Sequence, residues 1–390
     1  MPTNIEWTDE TWNPLAGCSP ISPGCTNCYA ATMARRLDGM AQSDLRRGKD
    51  PGGKRNYMGT AERRGKVDVF NGVINFDEVA LLKPTKWKKP RLIFVNSMSD
   101  FFHDAVTVEM IAAMLGIMYE AQWHTFQVLT KRAERMQSVL NWPGLLDAVA
   151  CVTWKRLAAR APDKAEILTV RDIRADLDMN WPLPNVWWGV SVEDQKRADQ
   201  RIAPLLLTPA AVRFLSYEPA LGPLDLCRVL WPGKARVDVL RGGFWEDREV
   251  FTKGYVNSSD FPATIDWVVA GGESGDRARP AHPDWFRKVR DDCSASGVAF
   301  LFKQWGEFSY HDCVAHGEKE VVFEPGLPMD LRHMLIWDGQ SFEKPRAGET
   351  VQSAFRAGNH LAIRVGKKEA GRLLDGVEHN EFPIQTTVAA

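Results

Sequence analysis

The sequence predicts an α/β fold: a (β/α) TIM-type barrel, full or partial, with a helical insertion and an irregular C-terminal extension. Three observations predict it. Strand-like apolar runs alternate with amphipathic stretches six or more times, the pattern of parallel strands joined by right-handed crossovers. Runs such as LIFV and WVVA are continuously apolar, as strands covered on both faces require. Nearly every strand also ends in polar residues: Asn96 to Asp100, Thr130-Lys131-Arg132, Ser191 to Asp194, Ser216-Tyr217-Glu218, Gly272-Glu273-Ser274 and Lys303-Gln304-Trp305. In a barrel those ends share one rim, where active sites sit. An open doubly wound sheet would gather them at one switch point instead.

The elements follow in order. IEWTDETWNP opens with a strand, and CYAATMARRLDGM is a helix capped near Thr26 or Asn27. Leu45 to Lys66 is rich in Gly and charge and reads as a flexible loop or small insertion. RLIFVNSMSD is a strand, TVEMIAAMLGIMYEA a helix, TFQVLTKR a strand, and the next helix begins near Ala133. From about Pro143 to Pro182 no strand signal stands out, which suggests a helical insertion. NVWWGVSVED is a strand and QKRADQRIAPLLL a helix. VRFLSYEP is a strand, followed by an irregular segment to about Ala263. IDWVVAGGES, HPDWFRKVRDDCSASG and VAFLFKQWGE complete the pattern as strand, helix and strand. Beyond about His311 it is lost, and pieces such as MLIWDGQSF read as a hairpin or peripheral cap. Gly366-Lys367-Lys368 lacks the spacing of a phosphate loop. The expected division is a barrel over residues 1–310, interrupted at about 40–70 and 143–182, with an extension over 311–390 packed on it.

The chemistry concentrates near the start. Cys18, Cys25 and Cys28 form C-x6-C-x2-C, with Pro20, Pro23 and Gly24 bending the longer gap. Thiolates are soft ligands that suit iron–sulfur clusters and zinc. A structural zinc site closes with four ligands, whereas three cysteines on a cluster leave one iron open. Cys151, Cys227, Cys293 and Cys313 are scattered and read as plain thiols. The 390-residue chain has a net charge of −1, which gives no global pull toward nucleic acid or membrane. It shows no apolar leader at its start and no run long enough to span a bilayer. A cytoplasmic setting is the expectation, and there cysteines serve metals before disulfides.

Three cysteines in a loop after the first strand of a β/α barrel resemble the radical S-adenosylmethionine (SAM) superfamily. The whole chain also resembles a phage- and prokaryote-encoded family of three-cysteine-motif proteins, through IEWTDETWNP, GCTNCYA, FVNSMSDFFH, VLTKR, WWGVSVEDQ, FLSYEPALGP, VVAGGESG, FKQWGE and VGKKEAGRLLDG. The resemblance implies a 4Fe–4S cluster on Cys18, Cys25 and Cys28 whose open iron binds SAM. It also implies a reductant protein and a possible partner protein encoded nearby. The sequence departs from the superfamily in two places. The first gap is six residues, not three, and Asn27 stands where an aromatic precedes the last cysteine.

On this reading the strand ends take roles by location. Asn96, Ser97 and Ser99 are candidates for the SAM amino group or ribose, and Ser191, Glu193 and Glu218 for ribose hydroxyls or substrate. Glu273 closes a Gly-Gly-Glu segment, and Lys131 and Arg132 suit a carboxylate or phosphate. Each is also open to a structural salt bridge.

Two other classes compete. One is a zinc site completed by His103 or His282, which would make this a zinc-binding protein without radical chemistry. The other is nucleic-acid or nucleotide recognition, suggested by the basic run Leu45 to Lys66 with Tyr57 and by Lys83, Lys86, Lys88, Lys89 and Arg91 around Trp87. A solvated loop accounts for the same charges.

Overall fold

The computed structural model describes residue 3 and residues 5–160, 168–232, 235–245, 255–257, 261, 263–312, 315–316, 320–321, 334–337, 339–344 and 360–384. Cys313 lies outside them.

Seven strands form the central sheet: β1 (Glu10–Trp12), β2 (Leu92–Val95), β3 (Thr125–Thr130), β4 (Val186–Ser191), β5 (Val212–Tyr217), β6 (Trp267–Gly271) and β7 (Ala299–Gln304). They lie side by side in chain order, and every pairing is parallel. A doubly wound sheet would reverse its order at a switch point, and this one does not. β1 and β7 are its two ends, so the architecture is a curled half-barrel and not a closed barrel.

Side chains alternate between the two faces, as the period of a strand demands. The concave face gathers Trp7, Phe94, Trp187, Phe214, Trp267 and Leu301. Trp7, just before β1, lies 5.9 Å from Trp267 of β6 and 4.6 Å from Phe94 of β2. Rings from strands five places apart meet only if the sheet curls. Gly189 makes room on this face, because a Cβ there would lie 2.5 Å from the Phe214 ring. The alternate residues Ile93, Val95, Phe126, Val128, Trp188, Val190, Leu215 and Val268 join the larger outer core.

The outer helices are α1 (Tyr29–Arg46), α2 (Val108–Glu120), α3 (Ala133–Leu140), α4 (Leu145–Arg160), α5 (Val170–Asn180), α6 (Gln195–Leu206) and α7 (Pro283–Ser296). Their starts carry the expected capping chemistry. Thr107 caps α2, Thr169 and Asp172 form a capping box on α5, Asp194 caps α6, and His282 with Pro283 opens α7. Gly297, at φ +69°, ends α7.

The last part of the chain covers the free edge of β7. Phe302 N–H donates to His379 O at 3.0 Å, and Glu381 N–H to Phe300 O at 3.2 Å. Phe382 stacks on Trp267 at 5.0 Å, whose indole N–H donates to Glu381 O. An unpaired edge is thereby closed to other chains. Trp267 joins the inner core, the sheet and this tail. Trp267→Ala is expected to cost about 3–5 kcal/mol, read as a lowered urea midpoint. An unchanged midpoint would detach the tail from the core.

Several elements differ from the sequence expectation. The helix expected from Thr26 or Asn27 begins at Tyr29, because Pro23–Cys25 forms a 3-10 turn and Thr26 N–H is used by Pro23 O. Residues 40–46 continue α1 rather than open an insertion. The loop to Lys66 holds a 3-10 turn at Gly52–Tyr57 and a hairpin of Ala61–Arg64 with Val67–Phe70. The irregular stretch before Ala263 contains a four-stranded antiparallel sheet, and so does the extension, through Phe308–Asp312, His360–Arg364, Met334–Trp337 and Phe342–Glu343.

Candidate metal centre and barrel mouth

Parallel strands put all their C-terminal ends on one edge, and the cysteine loop crosses that edge. It leaves β1, and Gly17 starts it at φ +98° with Val73 O so close that a Cβ would overlap it. Gly17 N–H donates to Met98 O, and Gly72 N–H to Cys18 O. The loop therefore sits between the end of β2 and the hairpin.

Two buried carboxylates pin it from across the mouth. Glu193, just past β4, is fully buried. Its Oε1 accepts from the Ser22 hydroxyl at 2.5 Å, and its Oε2 from Arg201 of α6 at 2.9 Å. Gly24 lies against it, where a Cβ would fall 2.4 Å from Oε1. Glu273, past β6, accepts from Asn27 at 3.2 Å and from the Arg279 guanidinium and backbone N–H. Arg279 also donates to Pro23 O at 3.0 Å. Both acids hold the loop; the sequence offered Glu193 for ribose hydroxyls or substrate and Glu273 for the cofactor.

The third pin is Arg132. Its Nη1 donates to Cys18 Sγ at 3.7 Å and to Asp100 at 3.0 Å, and its Nη2 to Ser19 O and Oγ. Burial pushes the Cys18 thiol up to about 12; Asp100 adds to this and Arg132 opposes it. Burial also raises the Cys28 thiol.

Of the remaining candidates, Ser191 and Glu218 line the mouth. Lys131 donates to Ser191 Oγ at 2.7 Å, and Ser191 donates on to Glu218 O at 3.1 Å. Glu218 reaches over Gly271, whose absent side chain leaves the space, to Lys303 at 3.0 Å. Lys131 is near enough to Cys28 to favour its thiolate. Asn96 does not join them, whereas Ser97 and Ser99 stay beside the cysteine loop, Ser97 O accepting from the Tyr29 hydroxyl at 2.9 Å. Asn96 takes φ +58° and turns its amide to Met114 of α2, on the outer side. Ser97 Oγ bonds Asn13, and Ser99 is bridged to Gly17 beneath the loop.

The basic runs separate as well. Lys83 to Arg91 precede β2, and Trp87 O accepts from Trp123 just before β3. That run therefore lies at the N-terminal edge of the sheet, opposite the cysteines. The hairpin stays near the mouth, where the Arg277 guanidinium donates to Lys66 O.

A family model described as protein of unknown function (DUF5131) matches residues 2–383. The chain belongs to this family. No curated protein and no solved structure matches it. The DUF5131 match covers barrel, cysteine loop and extension together and names no radical SAM family, so that resemblance rests on the cysteines and the half-barrel.

Cys18, Cys25 and Cys28 all lie free on the loop at the mouth, a soft donor set that suits an iron–sulfur cluster or zinc. The histidines offered for zinc are engaged: His103 Nε2 bonds Ser19 Oγ and its Nδ1 accepts from Ala105, while His282 Nδ1 accepts from Asp284 N–H at the start of α7.

Sequence reasoning missed Ser22, Asn27 and Arg279 as loop pins, and Arg201 as the partner that holds Glu193. One signal existed. Arg201 falls among Ala198, Ile202 and Leu205, on the apolar face of α6, and a charge placed there needs a buried partner. Arg279 gave no such signal.

Proposed function

We propose that this DUF5131 protein is a radical SAM-like iron–sulfur enzyme that modifies a nucleic acid or nucleotide. The observation that carries the reading is the cysteine loop pinned across the polar mouth of a half-barrel by Glu193, Glu273 and Arg132. Cys18, Cys25 and Cys28 would hold a 4Fe–4S cluster with one iron open to SAM. When bound, that pair supplies reductive cleavage of SAM to a carbon radical, the hard step that a cofactor carries.

The chain's own residues position and neutralise. Lys131 pairs with Glu193 at 3.9 Å and Lys303 with Glu218 at 3.0 Å, and because Glu193 is also shared with Arg201, these three cations outnumber the two carboxylates. That balance favours an anionic group on the ligand, a phosphate or a carboxylate. Arg36, Arg46, Arg47 and Lys49 extend the positive charge along exposed α1 and the residues after it. Arg63 and Arg64 are partly offset by Asp68 and Glu62.

The test is anaerobic incubation of reconstituted protein with dithionite and SAM. The expected product is 5′-deoxyadenosine, lost in Lys131→Met if the mouth holds the anion. A loaded cluster that neither binds nor cleaves SAM would make the cluster a redox or structural one. Zinc in place of iron would make the protein a zinc-binding one. For the nucleic acid, neutralising Arg46 and Arg47 is expected to weaken binding at low salt and flatten its salt dependence. Unchanged binding would remove this surface from the reading.

A further inference from the structure

We propose that the buried Arg132–Asp100 pair sets the reduction potential of the group held at Cys18, so that Arg132 is a positioning residue of the cysteine loop and not a ligand contact at the mouth. The inference rests on the cluster reading above.

Arg132 is held from every side. Only 7% of its side chain is exposed. Its backbone N–H donates to Thr130 Oγ1 at 2.9 Å, and Thr130 donates in turn to Asp100 at 2.7 Å. Asp100 also accepts from the backbone N–H groups of Phe102 and Lys131. The carboxylate is thus fixed by β3 and its own turn, and it fixes the guanidinium. Arg132 then has two directions left, toward Ser19 and toward Cys18 Sγ, and it uses both. Its Nε finds no acceptor among the described residues.

An arginine stays protonated in a protein, so this positive charge beside the sulfur is permanent. Adding an electron makes the sulfurs more negative. A fixed cation donating to one of them favours the reduced state, and hydrogen bonds to cluster sulfurs are among the factors that set the potential. Burial strengthens the effect, since water screens it less. Asp100 acts in the opposite direction on the same sulfur. The pair therefore makes two predictions of opposite sign, which a purely structural clamp would not.

The experiment is a redox titration of the reconstituted protein, followed by visible absorbance and electron paramagnetic resonance, with iron and sulfide assayed for every variant. Arg132→Met is expected to lower the midpoint potential, because Asp100 then faces Cys18 uncompensated. Asp100→Asn is expected to raise it. Arg132→Lys keeps the charge and loses the fork, so its potential should fall between those of the wild type and Arg132→Met. Midpoints that do not move, or that move in the same direction in Arg132→Met and Asp100→Asn while iron and sulfide stay at the wild-type level, would overturn the inference alone. If Arg132→Met fails to load, Arg132→Lys and Asp100→Asn carry the comparison, and wild-type potentials in both overturn it. A wild-type protein that takes up no iron and sulfide would overturn the cluster reading itself.

Discussion

Cys25→Ala is expected to abolish iron and sulfide loading, from about four of each per chain to near zero after anaerobic reconstitution. Cys18→Ala and Cys28→Ala should do the same. Two thiolates cannot hold a cluster that needs three, and among the described residues no other cysteine is placed to substitute. Cys151 is on α4 and Cys293 is buried in α7, within the outer core, away from the mouth. Cys227 sits with Asp225 and Asp292, where Lys288 and Arg241 already neutralise the group. Cys151→Ala therefore serves as the control, with wild-type iron and the same brown colour. Normal iron in Cys25→Ala would remove the assignment, since Cys25 lies between the other two and its sulfur faces Ser22.

The strands of the half-barrel were legible because each is a continuous apolar run with a polar end. LIFV, FQVL, VWWGV, FLSY and WVVA all became strands of one sheet in chain order. What stayed illegible has two physical causes. The short antiparallel strands, such as Val229–Leu230 and Arg236–Asp238, are two or three residues long, too few to show a period. The second cause is direction. Asn96 and Glu193 both sit at polar strand ends, so the sequence grouped them. A positive φ turns Asn96 toward Met114, and Ser22 and Arg201 claim both oxygens of Glu193. The sequence locates a side chain on the rim, but the partner it meets depends on loops that cross from other strands. The basic runs illustrate the same limit: the second begins 17 positions after the first ends, at Lys83 and Lys66, yet they lie at opposite edges of the sheet.

Glu193→Ala separates a pin from a ligand contact. The glutamate is fully buried, and Arg201 beside it has 8% of its side chain exposed. Removing the carboxylate leaves that guanidinium buried with one backbone partner, Ser191 O. Breaking a buried pair in this way costs about 3–5 kcal/mol, which should appear as a lowered urea midpoint in the protein without metal. Ser22 loses its acceptor at the same time, and Gly24 loses the surface it packs on, so the loop is no longer held across the mouth. Iron loading should fall with it. Glu193→Gln retains an acceptor for Ser22 and fills the same space, so its loss of loading should be smaller. Glu218→Gln is the contrasting case. Its carboxylate holds Lys303 in the open mouth and touches no cysteine-loop residue through a hydrogen bond, so cluster loading should survive while ligand binding changes. If instead Glu193→Ala kept its stability and its iron but lost SAM affinity, Glu193 would be a cofactor contact after all, as its place at a strand end first suggested. The two roles are distinguished by the order of loss: a pin fails before any ligand is added, and a contact fails only when the ligand is present.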